Sequence, residues 1–172
     1  MKKLSTLFIA LVLVLTSCSK DDTIRDASGD ILGVWHGKSV NYSGTSTTNF
    51  EGESFKIDYV GEGYDVDFTL TFTDNPNIVA SEGSYGVKLT ISALGQSQIE
   101  NVPDNSFASS ANWTKNGNEL TILESESTES VTYQIIELTG NSLIIVADEI
   151  QDITQTIGES FTNIEMRIEL TR

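Results

Sequence analysis

The stretch Tyr64-Asp65-Val66-Asp67-Phe68-Thr69-Leu70-Thr71-Phe72 constrains this chain more than any other. Apolar and polar side chains alternate along it. On an extended strand this puts Tyr64, Val66, Phe68, Leu70 and Phe72 on one face and the Asp and Thr residues on the other. A slip of one residue would drive Asp65 and Asp67 into the core, so the pairing register is firmly set. The last segment has the same form, with Ile164, Met166, Ile168 and Leu170 alternating with Glu165, Arg167, Glu169 and Thr171.

Shorter runs of strand-forming residues lie between, at Val87–Ile91, Leu120–Ile122, Val131–Ile135 and Leu143–Val146. The last of these is apolar on both faces, which predicts cover on both sides. Asn75-Pro76-Asn77, Lys115-Asn116-Gly117-Asn118 and Thr139-Gly140-Asn141 separate the strands, and Asn-Gly supplies the positive φ angles of tight hairpins. Short strands with tight connections pair antiparallel, because parallel pairing needs long crossovers. Two stretches stay open. Residues 101–111, with Pro103, read as a polar loop and a candidate lid. Residues 148–160 fit either a helix, through Ile150, Ile153 and Ile157, or the arms of a long hairpin.

The fold class is therefore all-β and antiparallel. A twisted sheet of this many strands either closes into a barrel, which removes its edges, or splits into a β-sandwich. The alternation leaves both open.

Composition limits the function. A chain of 172 residues suits one domain. With 25 Asp+Glu against 10 Lys+Arg and a net charge of -15, it lacks the clustered cations that nucleic-acid binding needs. One Cys and one His exclude a disulfide framework and a Cys/His zinc cage. No phosphate-binding Gly loop, EF-hand spacing or His-Glu-x-x-His motif occurs, so no metal or cofactor is expected. His36 has no legible Ser or Cys partner, and no enzyme is expected. Asp58, Asp65 and Asp67, and likewise Asp148, Glu149 and Asp152, read as solvated strand faces rather than a Ca²⁺ site or an acid/base pair. The row Tyr64, Phe68, Phe72, Tyr133 and Met166 is the best candidate for lining a ligand cavity. The same row suits a packed core, since an eight-stranded barrel has room for either. Trp113 suits a barrel mouth and a core position equally.

The N-terminus reads as an address. Lys2 and Lys3 precede an apolar run, Leu7–Leu15, that is far shorter than the ~20 residues of a membrane span, as in a signal peptide. Leu15-Thr16-Ser17-Cys18 resembles the lipobox of bacterial lipoproteins, and Cys18 is the one cysteine of the chain. The resemblance implies a signal peptide over residues 1–17, lipidation of Cys18, a flexible lipidated tether over 18–29 and a folded domain over 30–172. The membrane is then a partner through the lipid, because several acyl chains anchor stably where one does not. Ser19-Lys20-Asp21-Asp22 is similar to the short acidic signal that sends lipoproteins of some Gram-negative gut bacteria to the outer face of the outer membrane.

Ile31-Leu32-Gly33-Val34-Trp35-His36-Gly37 places a Gly-x-Trp ahead of the first strand. Asn112-Trp113, then Asn116-Gly117-Asn118-Glu119-Leu120-Thr121-Ile122, then Tyr133-Gln134-Ile135 and the terminal Leu170-Thr171-Arg172 follow in order. Together they resemble lipocalins, in particular the lipocalin-like lipoproteins of the same bacteria. The resemblance implies an up-and-down barrel of about eight strands, with Trp35 closing its floor beneath the guanidinium of Arg172, Arg167 being the rival. It also implies a non-enzymatic binding module for a small apolar or amphipathic ligand. The longer open-end motifs of ligand-carrying lipocalins have no match here. The alternative is therefore a surface protein with a filled barrel that docks a protein or glycan partner.

Overall fold

The computed structural model describes residues 24–50, 53–124, 130–155 and 158–172. The expected signal peptide, Cys18 and the first part of the expected tether lie outside them. Nine strands follow in chain order: β1 (Gly33–Phe50), β2 (Glu53–Thr73), β3 (Ile78–Ala93), β4 (Gln96–Asn105), β5 (Ser110–Asn116), β6 (Glu119–Glu124), β7 (Ser130–Leu138), β8 (Ser142–Gln155) and β9 (Gly158–Thr171). All pairings are antiparallel, within one sheet ordered β2-β1-β9-β8-β7-β6-β5-β3-β4. β3 also pairs with β2, so eight strands close into a ring and β4 hangs outside it on β3. Closure decides for the barrel over the sandwich.

The strands are very unequal. β5 and β6 have 7 and 6 residues, whereas β1 and β2 have 18 and 21. A ring is only as tall as its shortest members, so the surplus of the long strands stands beyond it as an open wing, ordered β4-β3-β2-β1-β9-β8. β3 shows the transition: Ile78–Ala80 pair with β5, and Tyr85–Ala93 pair with β4. At this level the β1–β2 register breaks between His36 and Asn41, and the β2–β3 register breaks between Tyr64 and Asp67.

The second break is a bulge that carries one extra residue on β2, with Asp65 at φ 47°. It corrects the uniform alternation expected for 64–72. Phe68, Leu70 and Phe72 are buried in the core, but Tyr64 turns to the outer face beside Glu62 and Lys88. Its ring lies on Gly86, its partner in register, where any Cβ would collide with it.

β8 has the two-sided cover its sequence predicts. Leu143 and Ile145 join the main core, while Ile144 and Val146 form a second cluster with Ile136. Three hydrogen bonds tie the chain ahead of the barrel to β7: Arg25 N–H to Ile136 O (2.8 Å), Leu138 N–H to Asp26 O (2.6 Å) and Gly29 N–H to Leu138 O (2.8 Å). Residues 24–29 are thus part of the folded body, which corrects the tether boundary. The cause is local, because β6 pairs β7 only as far as Gln134 and leaves the rest of that edge open to the incoming chain. The expected loop is corrected too, since Asn101–Asn105 belong to β4. Residues 148–160 resolve as hairpin arms, β8 running to Gln155 and β9 starting at Gly158.

Trp35 is fully buried at the floor, and its indole N–H donates to Ile31 O at 2.8 Å. Arg172 places Cζ 4.0 Å from the ring centroid. Its Nη2 donates to the carbonyls of Asp30 (3.0 Å) and Leu32, which joins the last strand to the chain entering the first. Arg167 pairs instead with Glu169 at 3.3 Å, next to Lys38. Trp35→Ala removes a large buried ring, at a cost of about 3–5 kcal/mol. It should lower the melting temperature by about 10–15 °C. Arg172→Ala forfeits a cation–π contact of about 0.5–2 kcal/mol and should lower it by only a few degrees. Calorimetry of the two variants checks this, and an unchanged Trp35→Ala melt would refute the floor lock.

Candidate functional site

The barrel interior is not completely filled. A cavity of about 190 Å³ lies against the junction of β3 and β5. Val79 and Ser81 on β3 and Ala111 on β5 form one wall, while Ile122, Val131 and Tyr133 face it from β6 and β7. Leu70, Ile145 and Ile168 close the side toward the core. The void follows from side-chain size. The pleat directs Ser81 and Ala111 inward, but side chains of two heavy atoms and one do not reach the barrel axis.

Phe107 and Ala108, from the connector between β4 and β5, cover the opening. The Phe107 ring lies tilted at 5.0 Å from Phe68 and 5.4 Å from Tyr85, and Phe68 lies 5.7 Å from Tyr85. The Tyr85 hydroxyl is 2.6 Å from that of Tyr42. This cluster separates the cavity from a second, open groove on the wing, lined chiefly by Tyr42, Tyr59, Val87, Leu89, Val102 and Ile164, with a volume of about 430 Å³.

Of the five side chains expected to line a site, Tyr133 lies at the cavity. Phe68 and Phe72 are packed core, Phe72 meeting Trp113 edge-on at 5.8 Å. Met166 packs at the core margin, opposite Tyr42 and Ala147 in register, and Tyr64 lies outside. Trp113 is buried, with its indole N–H on Thr73 O at 3.0 Å. Sequence reasoning missed Val79, Ser81, Phe107 and Ala111. The alternation at 78–81 marks Val79 and Ser81 as same-face residues, but nothing in it says that the space before them stays unfilled.

No charged side chain lines the cavity. The acidic residues lie elsewhere. Asp58 accepts hydrogen bonds from Lys56 (2.8 Å) and Thr45 (2.9 Å), which hold its carboxyl below the usual range. Asp65, Asp67, Asp148 and His36 are exposed, and the side chains of Glu149 and Asp152 lie outside the described residues. Among the described residues no three His, Cys, Asp or Glu side chains are grouped to hold a metal ion. Comparison of the chain with protein families, curated proteins and solved structures finds no match in any of the three.

Burial raises both phenols of the Tyr42–Tyr85 pair above the ordinary value of 10.0. For Tyr42 the hydrogen bond to Tyr85 adds to the rise, whereas for Tyr85 it opposes part of it. A phenol raised in the folded state favours folding below the unfolded value and loses that contribution as pH climbs past it. Stability should therefore fall above about pH 10, the ordinary tyrosine value. Ultraviolet titration should find Tyr42 and Tyr85 un-ionised until unfolding. Tyr42→Phe should lessen the alkaline loss, and ionisation of both phenols of this pair near pH 10 in folded protein would contradict their burial.

Proposed function

We propose that the protein is a lipid-anchored, lipocalin-like binding module of the bacterial outer membrane that encloses a small apolar or amphipathic molecule. The observation that carries this reading is the apolar, partly filled interior beside the β3–β5 junction, in a ring whose floor is locked by Trp35. Volume sets the scale of the ligand. Pockets for drug-sized ligands span ~300–1,000 Å³, while an engineered apolar cavity of ~150 Å³ holds benzene. A space of about 190 Å³ suits a single substituted ring or a short chain rather than a steroid. Binding rests on burial of apolar surface, which contributes about 25 cal/mol per Å². No reacting group is needed.

A mono-aromatic probe such as ethylbenzene should bind and raise the melting temperature, while Ala111→Leu, which fills the cavity, should abolish the shift yet melt cooperatively. Calorimetric titration of both proteins checks this, and identical responses would count against a cavity site. The anchor is tested separately. Cys18→Ala should move the protein from the membrane to the soluble fraction of expressing cells, and unchanged membrane partition would remove the lipoprotein reading.

A second reading, a surface protein that docks a partner, draws support from the wing. Phe55, Val60, Ile99 and Val102 are exposed there. Failure of every small probe, with Ala111→Leu behaving as wild type, would favour it.

A further inference from the structure

Among the described residues of the cavity wall, Phe107 and Ala108 alone do not lie on a strand. β4, which precedes them, hangs outside the ring. Between its pairs Val87–Val102 and Tyr85–Asn105 it carries one extra residue, with Asp104 at φ 57°. Such a bulge bends a strand and re-aims the side chains beyond it. The connector that follows is pinned to β3 at both ends. Asn105 pairs with Tyr85 and its Nδ2 donates to Tyr85 O at 3.4 Å, while Ser109 O accepts from the Ser81 N–H at 3.2 Å. The short arch between these anchors sets the Phe107 ring against Phe68 and Tyr85, over the cavity.

The wing groove lies on the other side of this cluster. Asn105, two residues before Phe107, lines it, and so does Tyr42, whose hydroxyl meets that of Tyr85. Hydrocarbon side chains dominate both walls, so an alkyl tail suits either space. We infer that Phe107 is the specificity-determining residue of the cavity, a stop that confines the ligand to a single ring or short chain by closing the way into the groove. This rests on the binding-module reading and adds what limits the ligand's length. Phe68 and Tyr85 are buried members of strands, whereas Phe107 can be shortened without touching a ladder. With its ring gone, a ligand seated in the cavity can extend along Val87 and Val102. A fully buried methylene tightens binding about fourfold, and one half covered in an open groove about twofold.

The test titrates ethylbenzene, butylbenzene and hexylbenzene calorimetrically into the folded protein and into Phe107→Ala and Phe107→Leu. Wild type should bind ethylbenzene and lose affinity as the chain grows. Phe107→Ala should still bind ethylbenzene and should bind hexylbenzene at least about tenfold more tightly than wild type does. Phe107→Leu, which keeps an apolar side chain and its packing, should gain less. Adding Val102→Glu to Phe107→Ala puts a charge on an exposed groove position and should cancel the hexylbenzene gain without changing ethylbenzene. The same chain-length profile in wild type and both Phe107 variants overturns the stop while leaving the cavity reading intact. A hexylbenzene gain that survives Val102→Glu overturns the path into the groove. Failure of ethylbenzene to bind any of the proteins overturns the cavity reading itself, and the stop with it.

Discussion

The ring depends on a seam of three residue pairs, Ile78–Asn112, Val79–Ala111 and Ala80–Ser110, where β3 meets β5. Other neighbours share much longer ladders: β1 and β2 pair from Gly33–Phe72 to Phe50–Glu53. The seam is short because β3 turns away to β4 after Tyr85, and it is reinforced from both sides. The Trp113 N–H donates to Asn77 O at 3.2 Å, its indole N–H donates to Thr73 O, and its ring meets Phe72 edge-on. Without these pairs β3 and β5 would each be an open edge, and the interior would face water along one side. The cavity lies directly behind the seam because the residues that make it are small.

Strand length decides the rest of the architecture. The short β5 and β6 limit the height of the closed part, and the long β1, β2, β8 and β9 must continue past it as an open sheet. An open sheet has edges, and β4 shields that of β3. The edge of β4 itself is blunted by Glu100, Pro103 and Asp104, which discourage pairing with another chain. The aromatic cluster of Tyr42, Phe68, Tyr85 and Phe107 sits where the two regimes meet, between the barrel interior and the open groove.

Much of the interior is legible in the alternation. Phe68, Leu70 and Phe72 on β2, and Ile168 and Leu170 on β9, are buried on the face the pattern assigns, and Leu143 to Val146 are covered on both sides. Tyr64 is misassigned because a bulge adds one residue and inverts every side chain beyond it, and a bulge leaves no mark in a hydrophobic pattern. The hold on residues 24–29 was illegible for a related reason. It depends on an edge of β7 left open by the shortness of β6, and so on a distant strand's length rather than on the segment's own composition.

The candidate site divides the same way. Tyr133 could be singled out as a bulky inward residue, but Ser81, Ala111 and Phe107 matter for what they leave empty or cover. Emptiness is a property of several strands at once. By itself the sequence determined that the chain is antiparallel β, which face of most strands is buried and that Trp35 lies near a strand start, because period-two burial and turn chemistry are local. Only the tertiary structure decided that the sheet closes and where its wall falls short of its axis. Those outcomes depend on the relative lengths of strands far apart in the chain and on side-chain volumes summed across the ring.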